Sequence, residues 1–219
     1  MMNIDDFENE IFPLMLEFLR SELSQDCSGH NHQHALRVVN NAKNILKEEQ
    51  GDYIVVVTAA LLHDVIDHKL FVDTTHQEEK VRQLLKDLNF SPKIEDEILY
   101  IMKNISFSGG KSAFLEGIEA KIVCDADRLD ALGSLGIIRT IEFGASKGRQ
   151  FYSEENLRKE CDELLFGEIT NTSLSHFYEK LLKLESLMFT PKGRELARQR
   201  TLFMQEFLNQ FYKEIAGKS

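Results

Sequence analysis

Residues 53–68 read YIVVVTAALLHDVIDH, and from Ile54 to Leu62 every position except Thr58 is aliphatic. A segment that apolar on all sides is predicted to be a helix in the middle of the fold, because no face is left for water. Yet the run closes on His63, Asp64, Asp67 and His68. On an α-helix advancing ~100° per residue, Asp67 falls ~40° and Asp64 ~100° from His63, so the three share one arc. Ala60, one turn earlier, leaves that arc uncrowded. Ionisable groups drawn into an apolar interior need a partner, and a metal ion is the usual one where His and Asp adjoin. Taken alone, the dipeptide is explained as well by a helix end emerging into water.

The rest of the chain changes that balance. Upstream lies His30-Asn31-His32-Gln33-His34, opening a helix, and downstream lies Asp125-Ala126-Asp127-Arg128-Leu129-Asp130 inside another. Three apolar helices that each present His or Asp inward make the arrangement a metal site in a helical domain requires. Residues two apart on a helix diverge by ~160°, so only one of His32 and His34 can face the ion. The same divergence puts Asp125 away from Asp127, in a supporting role or an ion pair. Imidazoles combined with carboxylates suit Mn²⁺, Fe²⁺, Mg²⁺ or Zn²⁺ without choosing among them.

Outward from these helices, nearly every segment carries helical periodicity. Residues 4–24 and 32–49 keep one apolar face each. Thr75 with Glu78 reads as a capping box for 76–89, and Ser91-Pro92 as the start of a helix to 104. A long helix is predicted over 118–143, followed by a polar, basic loop at 144–152. Ser153 and Thr190-Pro191 then open later helices. No stretch alternates with period two, and 12 Gly, 3 Pro and no Trp among 219 residues agree with a helical chain. The expected fold is all-α, one domain over residues 1–219, with a metal-site core at about 28–145 and C-terminal helices at 153–215.

A formal charge of −10 opposes binding to nucleic acid or anionic membranes. Cys27, Cys124 and Cys161 are scattered, as reduced thiols of a cytoplasmic protein would be. The acidic start has no leader-like pattern, and no run reaches the ~20 apolar residues of a membrane span. Gly109-Gly110-Lys111-Ser112 ends like a phosphate-binding loop, but the earlier glycine would have to stand at Ile105.

Together His34-x-x-Arg37-Val38, His63-Asp64 and Asp-Ala-Asp127-Arg-Leu-Asp resemble the HD-domain superfamily of metal-dependent phosphohydrolases. Leu-Leu-His-Asp-Val, Ser-Phe-Ser-Gly-Gly and the late Gly148-Arg149 look like a bacterial subfamily that includes nucleoside triphosphate pyrophosphohydrolases. The resemblance runs in order along nearly the whole chain. It implies a helical HD bundle with His34, His63, Asp64 and Asp127 holding one divalent ion between central helices. Mn²⁺ is expected first, with Fe²⁺, Mg²⁺, Zn²⁺ and Ni²⁺ as alternatives. Two positions depart from the subfamily: Asn31 stands where Asp is common, and Ile105 where some relatives carry His. Asn31 keeps the ability to cap a helix but not to transfer a proton.

Asp67 is the candidate base or water-orienter. Arg37, one turn past His34, is a candidate for a phosphate or for an internal ion pair. Lys111, Lys147 and Arg149 are candidates to neutralise phosphate charge. His68, His76 and His176 are read as structural or exposed, and Phe203, Phe207 and Phe211 as core or dimer packing. The expected partner is a small phosphorylated substrate, a nucleotide, with a homodimer as the assembly to look for. Alternatives are a nucleotidase, a cyclic-nucleotide phosphodiesterase and a nucleotide sensor without turnover.

Overall fold

The computed structural model describes residues 2–23, 31–68, 70, 71, 73–105, 115–153 and 172–218. Among these, nine helices are joined by tighter turns, and the only β-type pairing is an isolated bridge between Gln150 and Thr172. The all-α expectation is met. The chain divides into two compact units, Met1–Asp127 and Arg128–Ser219.

The first unit holds α1 (Phe12–Glu22), α2 (His32–Ile45), α3 (Tyr53–Leu62), α4 (Thr74–Asp87) and α5 (Pro92–Asn104), and most of α6 (Ile118–Asp130). As its composition demands, α3 is buried at every position from Val55 to Leu62, with α1, α2 and α5 packed around it. Asp52 caps its start, accepting hydrogen bonds from the backbone of Ile54 and Val55. Glu119 of α6 in turn accepts from the Asp52 backbone N–H at 3.0 Å.

Four local expectations are corrected. Residues 4–24 are not one regular helix: a π-helical segment, Phe7–Ile11, separates the turn Ile4–Asp6 from α1. Pro13 has no N–H to give the carbonyl of Asn9, so the turn before it widens. This brings Phe7 into the core, fully buried. The helix over 53–68 stops at Leu62; His63–Ile66 tightens into a 3₁₀ turn and Asp67 is extended, at φ −74° and ψ 123°. The predicted capping box at Thr75 is displaced by Asp73, whose carboxylate accepts from the backbone of His76 at 3.0 Å. A carboxylate at the N-cap also meets the positive end of the helix dipole, an advantage a threonine lacks.

The fourth correction concerns the long helix at 118–143. It breaks between Asp130 and Gly133, giving α6 and then α7 (Gly133–Ser146). Leu132 is extended and Gly133 has φ +72°, a backbone state that a side chain disfavours. Gly136 completes the turn, since a Cβ there would lie 2.2 Å from the carbonyl oxygen of Ala131.

The second unit adds α8 (Ser173–Glu179), a 3₁₀ stretch Leu181–Leu187 and α9 (Pro191–Ile215), which packs on α7 and on the 3₁₀ stretch. Thr190 caps α9 as predicted, accepting from the Gly193 N–H. Phe207 stacks on buried Phe177 at 6.3 Å and Phe211 meets Phe151 edge-on at 5.1 Å, whereas Phe203 is exposed. Arg139 pairs with buried Asp130, and Arg200 donates to the carbonyl of Leu129 at 2.6 Å.

His176 on α8 gives this unit a pH dependence. Burial, then the positive charges of Lys180 and Arg149, push its pKa down to about 4. Above pH ~6.5 the ring is neutral folded or unfolded and contributes nothing. Between ~6.5 and ~4 the unfolded chain takes the proton and the folded one does not, so stability falls as pH falls, on the order of 1 kcal/mol per pH unit. His176→Gln should flatten that part of a urea-unfolding series measured from pH 7 to pH 4. An unchanged series would place the acid sensitivity elsewhere.

Candidate metal centre

Three helices deliver the donors. Asn31 starts α2, its side-chain oxygen accepting from the backbone of Gln33 at 3.0 Å and of His34 at 3.2 Å. The subfamily's Asp is thus replaced without loss of the cap, and His34 faces inward from the first turn. At the end of α3, the 3₁₀ turn places His63 and Asp64 side by side, both buried. Asp127 comes from α6.

The four groups converge. His34 Nε2 lies 3.3 Å from His63 Nε2, 3.5 Å from Asp64 Oδ2 and 3.4 Å from Asp127 Oδ1. His63 Nε2 lies 3.3 Å from Asp64 Oδ1 and 3.8 Å from Asp127 Oδ1. Donor atoms ~2.1 Å from one ion are separated by about 3.0 Å at right angles and about 3.4 Å at tetrahedral angles. His34, His63 and Asp127 offer donor atoms that all lie within 4.8 Å of one another, as ligands of one ion would, and Asp64 stands beside both histidines.

The proton inventory points the same way. His63 Nδ1 lies 2.9 Å from the carbonyl oxygen of Ala60, which can only accept, so Nδ1 carries the proton. In the neutral ring Nε2 is then the lone pair, and it lies 3.3 Å from Nε2 of His34. Two imidazoles and two carboxylates gathered in a largely closed site suit a divalent cation, whose charge offsets that of the carboxylates. Solvent reaches the cluster unevenly: the side chains of His34, His63 and Asp64 are 2–5% exposed, whereas that of Asp127 is 29% exposed. Asp127 therefore marks the open side.

Other residues singled out in the sequence fall as follows. His32 is half-buried on α2, two residues before the inward-facing His34, and Asp125 is fully buried on α6 outside the cluster. Arg37 is half-buried one turn beyond His34. Asp67 is not on a helix, so its ~40° offset from His63 does not apply. Its side chain is 9% exposed, with Oδ1 3.5 Å from Nδ1 of the exposed His68. Lys147 and Arg149 belong to the second unit, where both cations lie over the ring of Phe143, at 5.6 and 5.7 Å. Arg128 there donates to the carbonyl of Leu187 and covers Phe189. His76 is exposed, and Cys124 is buried and in no disulfide among the described residues. Lys111, its loop, His30, Cys27 and Cys161 lie outside the described residues.

Sequence reasoning missed Asn41. Its side-chain amide donates to the carbonyl of Ala126 at 3.0 Å, the residue before Asp127. A spacing of seven from His34, two helical turns, was the available signal.

Among the described residues no helix is long and apolar enough to cross a membrane. The HD domain family matches residues 31–132, a span that contains all four donors. An uncharacterised protein of Bacillus subtilis, YpgQ, is 35% identical over 202 residues, 91% of each chain. Among solved structures, an HD-superfamily hydrolase from Bacillus thuringiensis superposes with a TM-score of 0.77 at 35% identity, over 95% of this chain and 98% of that one. YpgQ, solved in complex with ADP, gives 0.73 at 32% identity, over 93% and 100%. With the donors, their spacing and these relatives in agreement, this chain belongs to the HD domain family of the HD-superfamily hydrolases.

Proposed function

We propose that the protein is a divalent-metal phosphohydrolase acting on a small nucleotide, and that it cleaves a nucleoside triphosphate between the α and β phosphates. Water adds across that anhydride, and the products are a nucleoside monophosphate and pyrophosphate. The observation that carries the reading is the convergence of His34, His63 and Asp127 at ligand spacing, with Asp64 beside both histidines and one exposed edge. The ADP complex of the related YpgQ supports a nucleotide ligand.

A divalent ion held by these four residues, Mn²⁺ first, supplies Lewis acidity toward a phosphoryl oxygen and lowers the pKa of water. The chain's own parts are the rest of the device. The Ala60 carbonyl accepts a hydrogen bond from His63 Nδ1, which leaves Nε2 as the nitrogen to face the ion. Asp67 is assigned to orient and deprotonate the attacking water. Arg37, Lys111, Lys147 and Arg149 are the cations assigned to phosphate charge.

Incubation with Mn²⁺ and a panel of nucleotides, followed by product identification, tests the assignment. Monophosphate with pyrophosphate is the expected outcome. Inorganic phosphate from monophosphates makes the protein a nucleotidase, and opening of a cyclic phosphodiester makes it a phosphodiesterase. Tight binding without turnover makes it a sensor. Each of those three results overturns the pyrophosphohydrolase reading.

A further inference from the structure

We infer that Asn41 is a positioning residue for the metal centre, holding the helix of Asp127 at the distance and rotation that His34 requires. The inference rests on the metal-centre reading above.

Asn41 lies on the buried face of α2, 8% exposed, between the core residues Val38, Ala42 and Ile45. An apolar side chain would pack there without a desolvation cost, and Asn is a poor helix former, so neither core packing nor helix propensity calls for an amide. Its Nδ2 donates to the carbonyl of Ala126, 3.0 Å away on α6. A backbone carbonyl has two lone pairs, so this one accepts the side chain beside its place in the helix.

The register gives that bond its consequence. Seven residues turn an α-helix by ~700°, so Asn41 and His34 project from almost the same face, ~10 Å apart along the axis. His34 Nε2 reaches the Asp127 carboxylate at 3.4 Å. Asn41 reaches the backbone one residue earlier. With an ion bridging His34 and Asp127, two ties from one helix face to adjacent residues of another would fix rotation as well as separation. A single tie would let α6 roll, and a roll moves the Asp127 carboxylate while leaving His34, His63 and Asp64 where they are.

The test uses the full chain. Asn41→Leu removes the donor at similar volume, and Asn41→Gln keeps an amide on a longer stem. Mn²⁺ affinity is read from the electron paramagnetic resonance of free Mn²⁺, and ligand geometry from the visible absorption of Co²⁺-loaded protein. Folded Asn41→Leu is expected to bind Mn²⁺ about 10- to 100-fold more weakly, with a shifted Co²⁺ spectrum. Asn41→Gln should recover part of both. A purely structural role would lower the melting temperature and leave the Co²⁺ spectrum unmoved. Wild-type affinity, or an unshifted spectrum, in folded Asn41→Leu overturns the inference. Should Asn41→Leu fail to fold, Asn41→Ala is held to the same criteria, and failure of both assigns Asn41 to stability alone. If the wild-type chain binds neither Mn²⁺ nor Co²⁺, the metal-centre reading itself falls.

Discussion

His63→Ala and Asp64→Ala are each expected to lose metal binding by more than 100-fold and to reduce hydrolysis to background, with the helical circular dichroism signal unchanged. The bound of about 100-fold follows because even groups that only support a ligand are worth 10- to 100-fold in affinity, and these two contribute donor atoms themselves. Each closes one side of the cluster, at 3.3 Å from the other and 3.3–3.5 Å from His34. Stability without metal should move the opposite way. With no cation, imidazole nitrogens and carboxylate oxygens lie 3.3–3.8 Å apart, two carboxylates among them, in a site largely closed to water. Asp64→Asn removes one negative charge from that arrangement at constant volume. Its metal-free melting temperature should equal or exceed that of the wild-type chain, and the rise that Mn²⁺ gives the wild type should vanish. Full activity in metal-free Asp64→Ala would sink the metal-centre reading. A metal-free Asp64→Asn chain that melts well below the wild type would show that Asp64 is held by hydrogen bonds independent of any ion.

Which features were legible in the sequence follows from what each depends on. The buried α3, the Asn31 cap and the Thr190-Pro191 start were visible because composition and short-range hydrogen bonding decide them. The His63-Asp64 pair was found through a helical wheel, yet the wheel itself does not hold past Leu62. There the turn tightens to 3₁₀, in which residues advance by ~120° rather than ~100°. The pair converges with His34 and Asp127 because burial of Val65 and Ile66 pins the turn, not because α-helical phase continues. The break after Asp130 was missed because the apolar pattern runs on through Ile137 and Ile138. Only the positive φ of Gly133 and the closeness of Gly136 to Ala131 reveal it. Asn41 was missed because its partner is a backbone carbonyl 85 residues away, which no side-chain pattern records. Arg37, Lys147 and Arg149 were recognisable as cations from residue type alone. What they neutralise depends on tertiary placement that periodicity does not carry.

Asp67→Asn is expected to leave metal affinity intact while lowering kcat by about 10²- to 10⁴-fold, the usual worth of a positioned acid or base. The backbone of residue 67 carries structural duties that the substitution leaves in place. Its N–H donates to the carbonyl of Asp64 at 3.1 Å, and its carbonyl accepts from Leu70 at 2.9 Å and Phe71 at 3.0 Å. Asn preserves all three and the side-chain volume, and removes the proton-accepting carboxylate. That carboxylate is 9% exposed and follows Asp64 by three residues, just after the 3₁₀ turn. Mn²⁺ titration and steady-state kinetics on the same protein separate the outcomes. Lost kcat with retained Mn²⁺ binding assigns Asp67 to the water. Parallel loss of both places it among the groups that hold the ion. Unchanged kcat removes it from the reaction and leaves the pairing with His68, at 3.5 Å, as its role.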